Sequence, residues 1–298
     1  MQQIARPGTI ELSGLLAVAL IWGSAFPAIK VAVVDFGTFW TAAIRVFVGF
    51  LALMPFIAIR RHELSALTGN WTTMVLIALL NMVIPFILIS WSMNHIPAGI
   101  GSLLLGTTPF IAMVMGHFLT QDERITGMKL VSVAFALAGI VVLVGPDVFG
   151  GVGATSALAQ LAIVLAGICY VSAGFIMRRI DIPPVAFTGA ALGLGSMMLI
   201  GISLVISELP ETTPSLNALT AILWLGMFPT GLAYVLRYIL VKRVGVSTFA
   251  VAMNTVPIFG IILAALLLGE VIELRMIIAL AMVLSGLAIA RLAVPKQA

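Results

Sequence analysis

The chain has 298 residues, 62% of them hydrophobic and 9% charged, against roughly 25% charged in a soluble globular domain. So much apolar surface cannot be hidden inside a water-facing globule of this size, which excludes a soluble domain and requires lipid around much of the chain. The single Cys excludes an intramolecular disulfide framework and a clustered thiolate metal site, and the formal net charge of +4 is scattered as short basic pairs, which excludes the patch or stripe of a nucleic-acid binder.

Apolar runs of helix length, broken by charges, Pro or Gly, predict ten spans at 10–34, 38–59, 71–93, 97–119, 127–145, 155–177, 184–207, 217–241, 246–268 and 275–293. Their length and their lack of two-residue alternation exclude a transmembrane barrel, so the expected fold is all-α. The first run follows Met1 to Thr9, carries Trp22, Pro27 and Lys30, and has no small-residue cleavage site after a short core, so it is expected to be retained. The second holds Arg45, the third Asn81, Pro85 and Trp91, and the fourth Thr107-Thr108-Pro109. Tyr170 lies in the sixth span, Pro229, Tyr234, Arg237 and Tyr238 in the eighth, and Asn254 and Pro257 in the ninth. Trp40, Trp71 and Trp224 lie nearer span ends, as interfacial belt residues do.

Counting Lys and Arg between spans puts Arg6, Arg60, Arg61, Arg124, Lys129, Arg178, Arg179, Lys242, Arg243, Arg291 and Lys296 on one side, against Lys30 and Arg275 on the other. Short cytoplasmic loops hold the excess positive charge, so both termini are expected inside the cell, with Asp35, Asp147, Glu208, Glu211, Glu270 and Glu273 outside.

Two stretches read alike at nearly constant spacing: Thr107-Thr108-Pro109-Phe110 against Thr255-Val256-Pro257-Ile258, and Gly139-Ile140-Val141-Val142-Leu143 against Gly286-Leu287-Ala288-Ile289-Ala290. Glu123 falls opposite Glu270 once one residue is dropped. The expected organisation is therefore a duplication, residues 10–146 and 155–294. Each half has five spans, an odd number, so the second enters the membrane from the opposite face. Inverted repeats of this kind are a signature of secondary transporters, with a site near the bilayer midplane.

Trp22-Gly23-Ser24-Ala25-Phe26, the two Thr/Pro motifs and the Gly139 and Gly286 segments, in this order and duplication, resemble the drug/metabolite transporter superfamily in its ten-span EamA-type branch. The resemblance covers nearly the whole chain. It implies ten transmembrane helices in two inverted five-helix halves, and a multi-pass exporter of the bacterial inner membrane for amino acids, metabolites or drugs. It also implies that spans 1, 3, 4, 6, 8 and 9 line a central cavity, with Trp22 and Tyr170 at nearly equivalent positions of the two halves.

Ionisable residues inside hydrocarbon cost roughly 2.5 to 3.5 kcal/mol on insertion scales, so each demands an explanation. Lys30, Arg45 and Arg237 have two readings: they attract a substrate carboxylate from a watery cavity, or they snorkel and bond helix-end carbonyls. No Asp or Glu lies in mid-span, which argues against carboxylate-based proton antiport. His95 and His117 lie near span ends, where an interfacial hydrogen bond is the simpler role. Tyr234, Arg237 and Tyr238 share one helix face, and Pro85, Pro109, Pro229 and Pro257 bend their helices and free carbonyls a turn earlier. Asn81 and Asn254 either meet a ligand or bond a neighbouring helix.

The expected substrate-binding set is Trp22, Arg45, Asn81, Tyr170, Tyr234 and Arg237, with the four prolines as helix-bending elements. The expected activity is export of small amphiphilic metabolites, amino acids first, by alternating access; the alternative is proton-coupled export of drugs or organic cations. No cofactor, metal or nucleic acid is expected. The partners are a small-molecule substrate and the bilayer, with the oligomeric state open and a monomer sufficient. No HExxH, P-loop or elbow-serine motif supports an intramembrane enzyme, and a passive channel remains a third class.

Overall fold

The computed structural model describes residues 8–120, 125–149, 154–209 and 213–292. Arg6, Glu123, Arg124, Glu211 and Lys296 lie outside these residues, as do the side chains of Asp147 and Arg291. The described residues form helices and no strand.

Helix α1 (Thr9–Gly23) runs into α2 (Ala25–Ile59), and a 3-10 turn at Arg61–Leu67 leads to α3 (Trp71–Ala78). A π turn at Leu79–Val83 joins α3 to α4 (Ile84–Met93). Then follow α5 (Ala98–Leu105), α6 (Thr108–Leu119), α7 (Gly127–Phe149), α8 (Ala154–Met177) and α9 (Pro184–Ile206). Helix α10 (Leu216–Leu225) continues through a second π turn, Gly226–Leu232, into α11 (Ala233–Met253), and α12 (Val256–Leu268) and α13 (Leu274–Leu292) complete the chain.

Eight stretches among the described residues are long and apolar enough to cross a membrane, with Leu274–Ala290 a shorter apolar helix. The first, Thr9–Ile59, has 51 residues; at 1.5 Å per residue it would reach about 76 Å, far beyond one hydrocarbon core. It breaks at Gly37, whose φ of 66° and ψ of 177° form a conformation almost confined to glycine. Gly245 does the same inside α11, with φ 82° and ψ 160°. Two helices therefore meet at each of these glycines, at the points where the sequence pattern places span boundaries.

Three expected spans are themselves broken. The first kinks at Gly23-Ser24, the fourth at Gly106-Thr107 and the ninth at Asn254-Thr255, so each is two helices in series. In the last two, Pro109 and Pro257 stand within the first two residues of α6 and α12, where a missing N–H costs no hydrogen bond. The Thr107 and Thr255 hydroxyls each donate to the carbonyl three residues back, Leu104 and Ala252, at 2.7 Å.

Packing pairs α7 with α13, α2 with α9, α5 with α12, α4 with α8 and α1 with α11. Small residues set these contacts. Gly139 faces the Ala279 carbonyl, and Gly286 faces the Ser132 carbonyl and Phe110, while the Ser132 hydroxyl donates to the Gly286 carbonyl at 2.7 Å. A Cβ on Gly260 would overlap the Ser102 hydroxyl, and one on Gly106 would overlap Pro257, so α5 and α12 touch almost backbone to backbone. Large apolar side chains stay exposed on the bundle, among them Leu16, Met54, Leu137, Leu161, Met197 and Leu266, as lipid contact requires.

One end of the bundle bears Lys30 and Glu270. Phe26, Ile29, Phe36, Met93, Ile96, Ile100, Leu103, Ile163, Ile222 and Ile261 form one buried cluster there. The same cluster extends to Phe110 of α6, whose other residues, Gly116 apart, keep accessible surface.

Candidate functional site

Of the expected substrate-binding residues, Trp22, Arg45, Asn81 and Tyr170 come together around Tyr234. The Trp22 ring meets Tyr234 edge-on at 6.3 Å between centroids and Phe249 at 6.0 Å. Its indole N–H donates to the Pro229 carbonyl at 3.1 Å. The Asn81 side chain and the Arg45 and Arg237 guanidinium groups lie within electrostatic reach of the Tyr234 hydroxyl, and Arg45 also faces Tyr170. Tyr170 and Tyr234 are half-buried. Arg237, by contrast, is exposed, and only its reach to Tyr234 ties it to the cluster.

Arg45 is 5% exposed. Its Nε and Nη2 point at the Thr230 hydroxyl oxygen at 3.4 and 3.3 Å, and its guanidinium carbon stands 4.1 Å over the Phe86 ring. The Thr230 hydroxyl itself donates to the Leu225 carbonyl at 2.7 Å, which turns its lone pairs towards Arg45. The helix-end carbonyls offered by the sequence reading are therefore not its partners; a hydroxyl and an aromatic face are.

Both π turns serve this cluster. A π turn widens the helix and displaces its side chains, and such turns often mark functional positions. Leu79–Val83 carries Asn81 and is followed by buried Pro85 and Phe86; Gly226–Leu232 carries Pro229 and Thr230, one turn before Tyr234. Thr230, Phe86 and Phe249 are absent from the expected set. The signal for two of them is positional: each directly follows a proline in or just after a π turn, Pro85-Phe86 and Pro229-Thr230. Phe249 carries no such mark.

Lys30 lies apart from the site. Its Nζ donates to the carbonyls of Ile96 at 2.6 Å and Met93 at 3.3 Å, the helix-end role the sequence allows. Nearby, the Glu270 carboxylate accepts from the backbone N–H of Ala98 at 2.7 Å and Gly99 at 3.1 Å, capping α5 from the end of α12. The Asp35 carboxylate accepts from the Ser215 N–H at 2.7 Å, ahead of α10. Lys30, Asp35 and Glu270 line a shallow cavity of about 430 Å³ with Ser215, Asn217 and Leu268.

The tryptophans expected at the interfaces divide. Trp71 is exposed, and Trp40 donates to the Glu208 carbonyl at 3.0 Å in a connecting segment. Trp224 instead stacks on Phe228 at 4.3 Å and donates to the Ser24 hydroxyl at 2.8 Å, tying α10 to the kink between α1 and α2.

No group of three or more His, Cys, Asp or Glu side chains that could hold a metal ion occurs among the described residues. An apolar multi-helix bundle with a small polar and aromatic cluster at its centre is the build of a membrane transporter. The model of the EamA-like transporter family matches residues 9–145 and again 157–292, and the chain belongs to that family. Among its relatives are the uncharacterized transporter YoaV of Bacillus subtilis (23% identical over 92% of this chain and 94% of that protein) and the uncharacterized inner membrane transporter YedA of Escherichia coli K12 (23%, over 87% and 83%). Another, from Streptantibioticus cattleyicolor, is named "Probable terminal-alkyne amino-acid exporter" (26%, over 86% and 85%). A solved crystal structure superposes on 97% of this chain and 98% of its own with a TM-score of 0.70 at 19% identity, which shows a shared fold. Family and relatives are transporters rather than enzymes.

Proposed function

We propose that this protein is an inner-membrane exporter of small amphiphilic metabolites, amino acids first, working by alternating access through the space around Tyr234. The observation that carries the reading is the convergence of Trp22, Arg45, Asn81, Tyr170 and Tyr234 from α1, α2, the first π turn, α8 and α11. A purely structural bundle has no reason to gather a guanidinium, an amide and two phenols at its centre, where each costs free energy unless partnered. The relative named as an amino-acid exporter supports the substrate class.

In this reading the membrane is crossed ten times, by two five-helix halves of opposite orientation, with both termini cytoplasmic. The packing pairs support it. Numbering the spans one to ten, α4 on α8 is three on six and α1 on α11 is one on eight, pairs that a twofold exchange of halves converts into one another. The contacts α2 on α9, α5 on α12 and α7 on α13 are each a span on its own counterpart. The end with Lys30 and Glu270 is then the outer one, where the Glu270 cap on α5 and the Lys30 hydrogen bonds to Ile96 and Met93 tie helices together. Pro109 and Pro257, at the breaks of spans four and nine, would act as bending points.

The test is efflux from proteoliposomes loaded with labelled amino acids, nucleosides and quaternary amines. Saturable efflux and counterflow of an amino acid are expected. Linear flux with single-channel current would indicate a pore instead, and transport of quaternary amines driven by a pH gradient would establish the organic-cation alternative. Labelling that found the two termini on opposite sides of the bilayer would overturn the inverted-halves arrangement.

A further inference from the structure

We infer that the central site reads the carboxylate of its cargo and has no requirement for a positive group, so that a net-anionic carboxylate binds at least as well as the zwitterionic amino acid of the same body. The inference rests on the proposed transport function and sharpens its substrate class. Its first ground is charge. Arg45 is 5% exposed and carries a full positive charge. Its partners are one hydroxyl, Thr230, and one ring, Phe86, with the neutral phenols of Tyr170 and Tyr234 in reach.

The carboxylates whose contacts are described are engaged elsewhere: Glu11 with Arg243, Asp35 with Ser215, Glu63 with Arg60, Glu270 with Ala98 and Gly99, and Glu273 with Arg275. A buried guanidinium without a counter-charge is costly, and an arriving carboxylate removes that cost while a cation raises it. Nε and Nη2 share the one Thr230 hydroxyl, so of the five N–H donors of the guanidinium enough remain to take a carboxylate through two hydrogen bonds.

A second ground comes from the aromatic groups that could have held an ammonium. Arg45 covers the Phe86 face, and at Tyr238, one turn beyond Tyr234 on α11, Lys242 stands 4.5 Å from the ring centre, so these two rings already have cations of the protein over them. Trp22 is held by edge contacts to Tyr234 and Phe249 and uses its one N–H on Pro229. The body of the cargo meets rings and its charged end meets Arg45, while Arg237 adds a second positive charge on the side of Tyr234.

The experiment is competition against saturable phenylalanine counterflow by full-length protein in liposomes, with protein-free vesicles subtracted, using three relatives of one body: 3-phenylpropanoate (no ammonium), N-acetylphenylalanine (ammonium masked) and phenylalaninamide (carboxylate masked). 3-Phenylpropanoate is expected to reach half-inhibition at or below the concentration of phenylalanine, N-acetylphenylalanine to compete where its added bulk fits, and the amide to be weaker by about tenfold or more. If phenylalanine competes while 3-phenylpropanoate is about tenfold weaker, or the amide equals phenylalanine, the inference fails and amino-acid transport stands. If no amino acid or carboxylate shows saturable counterflow, both fail together.

Discussion

The indole N–H of Trp22 donates to the carbonyl of Pro229 at 3.1 Å, joining the end of α1 to the second π turn across 207 residues of sequence. It fixes the Trp22 ring edge-on to Tyr234 and so sets one wall of the central site. Trp22→Phe keeps a ring and removes the donor. It should cost about 0.5–1.5 kcal/mol, read as a lower Tm in detergent, and raise KM for efflux with little change in protein level; an unchanged KM would remove Trp22 from the site.

Arg45 sets function against stability. An unpaired guanidinium in this setting costs roughly 2.5–3.5 kcal/mol, while a charge-assisted hydrogen bond to a carboxylate contributes about 1.5–3 kcal/mol. Arg45→Met should therefore leave the empty protein as stable as the parent or more so, and raise KM for amino-acid efflux about tenfold or more. Thermal unfolding with and without substrate checks both: the parent gains Tm on adding substrate and the variant does not. A variant that unfolds without losing affinity for the substrate would show Arg45 to be structural.

The contact between α5 and α12 leaves no room for a methyl group. Gly260→Ala drives a Cβ into Ser102, and overpacking of this kind costs about 1–3 kcal/mol. Ser102→Gly removes both atoms that the new Cβ would meet. The double variant should recover most of the lost stability, a positive coupling measurable in a double-mutant cycle. Simple additivity would mean that the two helices separate by another route.

Glu270 caps the first turn of α5 through two backbone N–H groups and stands near Lys30. Glu270→Gln keeps an acceptor and loses the charge, weakening the tie between α12 and α5 by about 1 kcal/mol. In a Cys169→Ala background, which removes the single buried thiol, a cysteine introduced by Phe36→Cys should react faster with a membrane-impermeant maleimide from outside when Glu270→Gln is present. Equal rates would show that this cap does not restrict access at the end bearing Lys30.

Gly37 has a φ of 66° and ψ of 177° with no atom within 4 Å of a Cβ placed on it, so its cost on substitution is purely one of backbone. Gly37→Ala should destabilise by about 1–3 kcal/mol. Gly127→Ala, at the start of α7 with equally open space and no positive φ, is the control and should leave Tm nearly unchanged.

The apolar run lengths of the sequence determined an all-helical membrane protein, because a spanning segment must satisfy its own backbone and be covered by lipid along its length. The paired Thr/Pro and Gly motifs were legible too, since each is local: Pro109 and Pro257 open new helices, and Gly139 and Gly286 lie in the contact of α7 with α13. Intramembrane polarity singled out Arg45, Asn81 and Tyr234, for the cost of such residues in hydrocarbon does not depend on the fold. What they touch was decided only by the tertiary structure. Thr230 and Phe86 are ordinary apolar-span residues until a widened turn brings them to a guanidinium 185 positions away from Thr230 and on a helix next to that of Phe86. Gly37 and Gly245 read as span boundaries, and the backbone does turn there, at φ values of 66° and 82° that favour glycine. Long-range partners depend on how helices cross, and crossing is set by small residues on both partners at once, which no single stretch of sequence specifies.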